Sequence, residues 1–154
     1  MNANEQLVVD FYSSFARRDA EGMVACYHPN VVFTDPVFQQ LNAAQAGSMW
    51  RMLVGRSTDI TVVFSNVKAD ATTGSAHWDA TYTFSRTGRK VTNRIDAAFV
   101  FQDAKIIKHT DSFDFWKWSR QALGTSGLLL GWSPMLQSRV RAYARASLDA
   151  AMQP

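Results

Sequence analysis

Apolar positions recur at helical spacing near the start of the chain. Leu7, Val8, Phe11, Tyr12 and Phe15 predict an amphipathic helix over about residues 4–17. Arg17-Arg18-Asp19 stops it, and Asp19 sits where an N-cap would open a second short helix. Met23, Val24, Cys26 and Tyr27 give that helix its apolar side, and Pro29-Asn30 ends it. Val31–Thr34 follows as a short strand closed by Asp35-Pro36, the proline biasing Asp35 towards extended backbone. A third helix is expected from about Asn42 to Gly55, carrying Met49, Trp50, Met52 and Leu53.

The pattern then changes. Ile60–Val67, Ser75–Phe84, Lys90–Phe101 and Lys105–Phe115 are rich in β-branched and aromatic residues and read as strands. Arg86-Thr87-Gly88 has the composition of a three-residue hairpin loop, and Gln102-Asp103-Ala104 of a tight turn. Gly127, Gly131 and Pro134 interrupt the apolar Leu128–Trp132 segment, and Pro134 opens a last helix reaching about Ala150. Helices followed by a strand meander define an α+β domain rather than a βαβ fold.

Composition narrows the class. With 47% apolar and 19% charged residues, the 154-residue chain has a globular balance. One cysteine, Cys26, excludes an intramolecular disulfide and suits a reducing compartment. No apolar run approaches the roughly 18 residues of a membrane span, and the N-terminus lacks signal-peptide character. A cytoplasmic protein with no membrane partner is therefore expected. The net charge of +3 is uneven: residues 115–154 hold five cations and one anion. Neither a dense basic stripe nor a nucleic-acid motif accompanies them, so nucleic acid is not an expected partner. His28, His77 and His109 show no zinc-type spacing, and phosphate loops are absent, so neither metal nor cofactor is expected.

The opening helices around Phe15-Ala16-Arg17-Arg18-Asp19-Ala20-Glu21-Gly22-Met23, then Phe33-Thr34-Asp35-Pro36-Val37, Arg94-Ile95-Asp96 and Thr110-Asp111-Ser112-Phe113-Asp114, resemble the nuclear transport factor 2-like superfamily. It includes ketosteroid isomerases, limonene-epoxide hydrolases and SnoaL-like polyketide cyclases. The resemblance covers about residues 5–117. It implies a domain over 1–117 and a C-terminal extension over 118–154, whose helix at about 134–150 packs on the same domain. It also implies a strongly bent antiparallel sheet wrapped around the N-terminal helices to form a conical apolar cavity.

Which side chains would enter that cavity depends on strand parity. If Ser85 pairs with Arg89, Asp96 lies opposite Trp78, and one face carries Trp78, Ala80 and Tyr82 with Arg94 and Asp96. His77 and Asp79 then turn outward. A two-residue loop would instead bring His77 and Asp79 beside Asp96. The Arg-Thr-Gly loop favours the first register. On the last strand His109, Asp111, Phe113 and Phe115 share a face.

By resemblance, Asp35 matches the isomerases' catalytic base, Asp96 their oxyanion-holding acid, and Asp111 the epoxide hydrolases' second aspartate. The isomerases' oxyanion tyrosine falls on Phe11, which argues against steroid isomerase activity proper. Paired carboxylates in an apolar hollow can split into a neutral donor and an ionised base, which suits proton abstraction or water activation. His109 would orient or share that proton. Trp50, Trp78, Tyr82, Phe113, Tyr27 and Arg94 complete the expected substrate site.

The reading is a cofactor-independent acid–base enzyme of isomerase, epoxide hydrolase or cyclase type, acting on a small apolar or cyclic ligand. Asp35, Asp96, Asp111 and His109 carry its chemistry. The alternatives are a non-catalytic ligand-binding module and a dimeric scaffold. A homodimer is expected, with Val140, Tyr143, Ala144 and Leu148 as an apolar stripe on the last helix.

Overall fold

The computed structural model describes residues 1–131 and 133–153; of the expected apolar segment Leu128–Trp132, Trp132 lies outside the described residues. The chain opens with α1 (Ala3–Ala16) and α2 (Ala20–Val24), capped by the side chains of Asn2 and Asp19. The first strand, β1 (Tyr27–Thr34), starts four residues before the expected one and includes Tyr27, Pro29 and Asn30. Tyr27 is therefore not a helix residue. Only five residues of α2 are helical, and an edge strand tolerates the proline because its N–H side needs no partner.

After α3 (Ala43–Arg56), closed at its start by an Asn42–Gln45 capping box, come β2 (Thr61–Ala69), β3 (Thr73–Phe84), β4 (Arg89–Gln102) and β5 (Lys105–Ser112). The five strands form one sheet in the order β1-β5-β4-β3-β2. Its last four strands pair antiparallel, and β1 joins β5 in parallel. Register shifts between Ser65 and Lys68, where Asn66 is left-handed at φ 55°, and between Val100 and Phe101 bend the sheet.

The sheet curls around α1 and α3. Phe11, Phe15, Phe33, Trp50, Trp78 and Phe99 fill the space between them and are buried. Among the described residues, no helix is long and apolar enough to cross a membrane.

The β3–β4 hairpin corrects the expected register. Phe84 pairs with Arg89, so the loop is the four residues Ser85–Gly88, with Gly88 left-handed at φ 72°. Its N–H bonds the Phe84 carbonyl at 2.8 Å. His77 then pairs with Asp96, and Trp78 with Ile95. One residue of slip exchanges the faces of β4 and leaves β3 as expected.

The strand expected to run to Phe115 stops at Ser112. Asp114 instead caps α4 (Phe115–Leu123), its side chain accepting from the Lys117 N–H. After α5 (Thr125–Leu130), α6 (Pro134–Met152) crosses back over α3. Leu148 is fully buried, so the apolar stripe of α6 meets its own domain rather than standing free for a partner.

Candidate functional site

A cavity of about 250 Å³ opens between α3, the inner face of the sheet, α4 and α6. Its wall is largely apolar, built from Trp50, Trp78, Phe113 and Trp118 among others, and two carboxylates, Asp35 and Asp111, reach it.

Asp35 follows the end of β1. Its Oδ1 accepts from the backbone N–H groups of Val37 (2.7 Å) and Phe38 (2.6 Å), so turn formation and cavity placement coexist in one residue. Those bonds occupy Oδ1 and leave the second oxygen for the cavity. The residue is only half-buried by area, but the surface it retains faces the cavity rather than bulk water. Burial accordingly pushes its pKa up to about 7. The bond from Phe38 opposes this, the negative Asp111 adds to it, and the bond from Val37 and the charge of Arg141 oppose it.

Asp111 is held differently. It is 3% exposed, on the inner face of β5, and its Oδ1 lies 2.8 Å from His109 Nε2. His109 Nδ1 lies 2.8 Å from the Tyr27 hydroxyl, which receives the Trp50 Nε1–H at 2.9 Å. An indole N–H only donates, so the hydrogen bonds run in one direction. Trp50 donates to Tyr27, the Tyr27 proton goes to Nδ1, and the imidazole Nε2–H goes to the carboxylate. Trp78 Nε1 donates to the same oxygen at a longer 3.5 Å. Burial raises the Tyr27 phenol pKa well above its ordinary value, which keeps it a donor. The imidazole is fully buried, with the Phe99 ring 4.6 Å away and Trp50 stacked beside it.

The structure thus brings Asp35, Asp111, Trp50, Trp78, Tyr82 and Phe113 to one cavity, with His109 and Tyr27 lying behind Asp111. It does not bring Asp96 or Arg94 there. Asp96 has 81% of its side chain exposed on the outer face, where His77 bridges it at 2.8 Å and Asp79 at 2.9 Å. Arg94 is 77% exposed and lies 3.5 Å from Asp79. The four-residue hairpin loop is the reason, since it turns even-numbered β4 residues outward.

In their place the inner face presents Asn93, 8% exposed and lining the cavity. The correct loop length would have revealed it. Phe11 packs edge-on against His109 and Trp50, while the neighbouring Tyr12 hydroxyl is buried without a hydrogen-bond partner.

Sequence reasoning also missed the far wall. Val140, Tyr143, Ala144 and Ser147 of α6 line the cavity. Arg141 Nε donates to the Pro36 carbonyl at 2.8 Å, fastening α6 to the turn that carries Asp35. The Arg86 guanidinium lies 4.4 Å from the centre of the Tyr143 ring. Helical spacing of Val140, Tyr143, Ala144 and Leu148 signalled a buried face without saying against what.

Residues 8–109 match the SnoaL-like domain family. Among curated proteins no match is found. Solved structures share the fold at low identity. A nuclear transport factor 2-like protein of unknown function from Burkholderia pseudomallei is 20% identical, with TM-score 0.65, over 74% of this chain and 92% of its own. A protein from Xanthomonas campestris described as a putative polyketide cyclase is 18% identical, with TM-score 0.65, over 77% and 96%. An epoxide hydrolase of the limonene type from Mycobacterium tuberculosis is 16% identical, with TM-score 0.62, over 87% and 95%.

Proposed function

The chain belongs to the SnoaL-like domain family of the nuclear transport factor 2-like superfamily, and from that premise we propose that it is a cofactor-independent acid–base enzyme acting on a small apolar or cyclic molecule. One observation carries this reading: two carboxylates meet in a single apolar cavity under different constraints. Asp35 is poised near neutrality, and Asp111 is anchored by an imidazole.

A group whose pKa lies near the working pH can both take and return a proton within a catalytic cycle. Asp35 fills that role. His109 places its Nε2–H on Asp111, which favours the ionised form of that carboxylate, and the charge of Asp111 helps keep a proton on Asp35. Trp50 and Tyr27 act through His109 by fixing its tautomer. The aromatic wall suits a flat ring-containing ligand. The chemistry is proton transfer in isomerisation, ring closure or epoxide opening. That one structural neighbour is described as a polyketide cyclase and another as an epoxide hydrolase supports small-molecule chemistry of this kind.

The test is a carbon-13 NMR titration of labelled aspartate carboxyls. One carboxyl should titrate near pH 7 in the native protein and vanish in Asp35→Asn. If every aspartate titrates below about pH 5, within the scatter of ordinary folded-protein values, the acid–base assignment of Asp35 falls.

A further inference from the structure

Asp35 has a neighbour across the cavity whose hydrogen-bonding capacity is incomplete. Tyr82, on the inner face of β3, lines the same cavity. Its hydroxyl oxygen accepts the Trp118 Nε1–H at 2.8 Å. Since an indole N–H cannot accept in return, the phenol's own proton needs another acceptor, and it meets none among the described residues. Donation from Trp118 polarises the hydroxyl and strengthens it as a donor.

Burial pushes the Tyr82 pKa up against the opposing Trp118 bond, and the nearby charge of Asp35 adds to the rise, so the phenol keeps its proton. On β4, Asn93 pairs with Ala80, two residues from Tyr82 on the same face, and adds a side-chain amide to this wall. A donor without an acceptor, facing an apolar cavity beside a carboxyl of near-neutral pKa, calls for an oxygen on the ligand.

We infer that the substrate is a flat apolar molecule with an enolisable carbonyl, whose oxygen Tyr82 holds while Asp35 removes a proton from the adjacent carbon. The inference rests on the acid–base reading of Asp35 and narrows it to carbonyl chemistry, away from epoxide opening. In the step itself the C–H bond breaks and an O–H bond forms on Asp35. The electron pair moves through the new C=C bond onto the carbonyl oxygen, giving an enolate that accepts the Tyr82 O–H. The proton on Asp35 then returns to the same or a conjugated carbon, which regenerates the carboxylate with no other reactant. Tyr82 is the catalytic residue here, because it touches the reacting oxygen, and Trp118 is a positioning residue.

The test uses 2-tetralone, a flat bicyclic ketone, with two readouts: deuterium uptake in D2O and the infrared band of a carbon-13 carbonyl label in the bound state. Wild type should accelerate exchange over buffer and shift the bound carbonyl band to lower frequency. Tyr82→Phe keeps the ring and removes the donor. It should slow exchange by about a hundredfold, the typical loss on removing one oxyanion donor, and return the band to its position in an apolar solvent. Trp118→Phe should fall between these, with a smaller band shift than wild type. Asp35→Asn should abolish exchange while leaving the shift.

An unchanged band and rate in Tyr82→Phe overturn the inference and leave the Asp35 reading standing. Full exchange in Asp35→Asn overturns that reading instead, as does binding with a Tyr82-dependent shift but no exchange above buffer. A ketone that fails to bind at millimolar concentration overturns the substrate class.

Discussion

Replacing Asp35 by asparagine should stabilise the protein while removing its proposed activity, and the two effects have a common origin. The Asp35 carboxyl titrates at about 7 in the folded protein, against an ordinary 3.8. Between those values the folded state keeps a proton that the unfolded state has lost. Unfolding therefore releases a proton in that window, and stability falls as pH rises through it. Below about pH 4 the carboxyl is neutral in both states and costs nothing. Above about pH 7 the whole penalty applies. At about 1.4 kcal/mol per pK unit, the displacement corresponds to a ceiling of ~4 kcal/mol, and water in the cavity lowers the realised value to about 2–4 kcal/mol.

Asparagine keeps an Oδ1 acceptor for the Val37 and Phe38 N–H groups and cannot ionise. Urea denaturation followed by tryptophan fluorescence, from pH 4 to 8.5, should show the two proteins converging at the acid end and the variant gaining steadily up to neutrality. A stability difference that does not vary with pH, or a variant less stable than wild type at pH 8, would refute the desolvation argument.

Three further outcomes follow from the same contacts. His109→Leu strips the partner from a buried carboxylate and a buried phenol, and should cost about 3–5 kcal/mol in urea denaturation; the loss should shrink when Asp111→Asn is added. Asp96→Asn should leave turnover unchanged, because the side chain is on the outer face. An NMR titration should show the His77 pKa falling back towards its ordinary value, since the Asp96 hydrogen bond is the first cause of its rise. Gly127→Ala would place a Cβ 1.9 Å from the Ser119 carbonyl oxygen, so the α4–α5 junction must open, at about 1–3 kcal/mol by thermal or chemical denaturation.

The helices and strands were legible because their signals are local. The periodicity of Leu7–Phe15, the caps at Asp19 and Asn42, and the β-branched runs each act within a few residues. Face assignment is less local, since one residue in a hairpin loop exchanges every side chain of the following strand. Asp96 and Arg94 were expected inside on that count alone, and Asn93 was lost with them. Tyr27 was assigned to a helix because apolar spacing over four residues cannot tell a last helical turn from a first strand residue. The short α4 was hidden because Phe113-Asp114-Phe115 alternates like a strand, although Phe115, Trp118 and Ala122 recur at helical spacing and are buried.

What the sequence carried least well was the difference between two aspartates of the same cavity. Nothing adjacent to Asp111 announces that His109 is locked by a phenol from β1 and an indole from α3, because those partners lie 82 and 23 residues apart in their pairings. Nothing adjacent to Asp35 announces that α6 is tied to its turn by Arg141, 105 residues away. The matched stretch, residues 8–109, supplies Asp35 and the His109 relay, whereas Trp118 and the α6 wall lie beyond it. A wall that excludes water raises the Asp35 pKa, so the residues that shape the mouth also set the acid strength at the floor. In this architecture selectivity and proton affinity cannot be tuned independently, which is why the aspartates and the C-terminal helix have to be understood as one site.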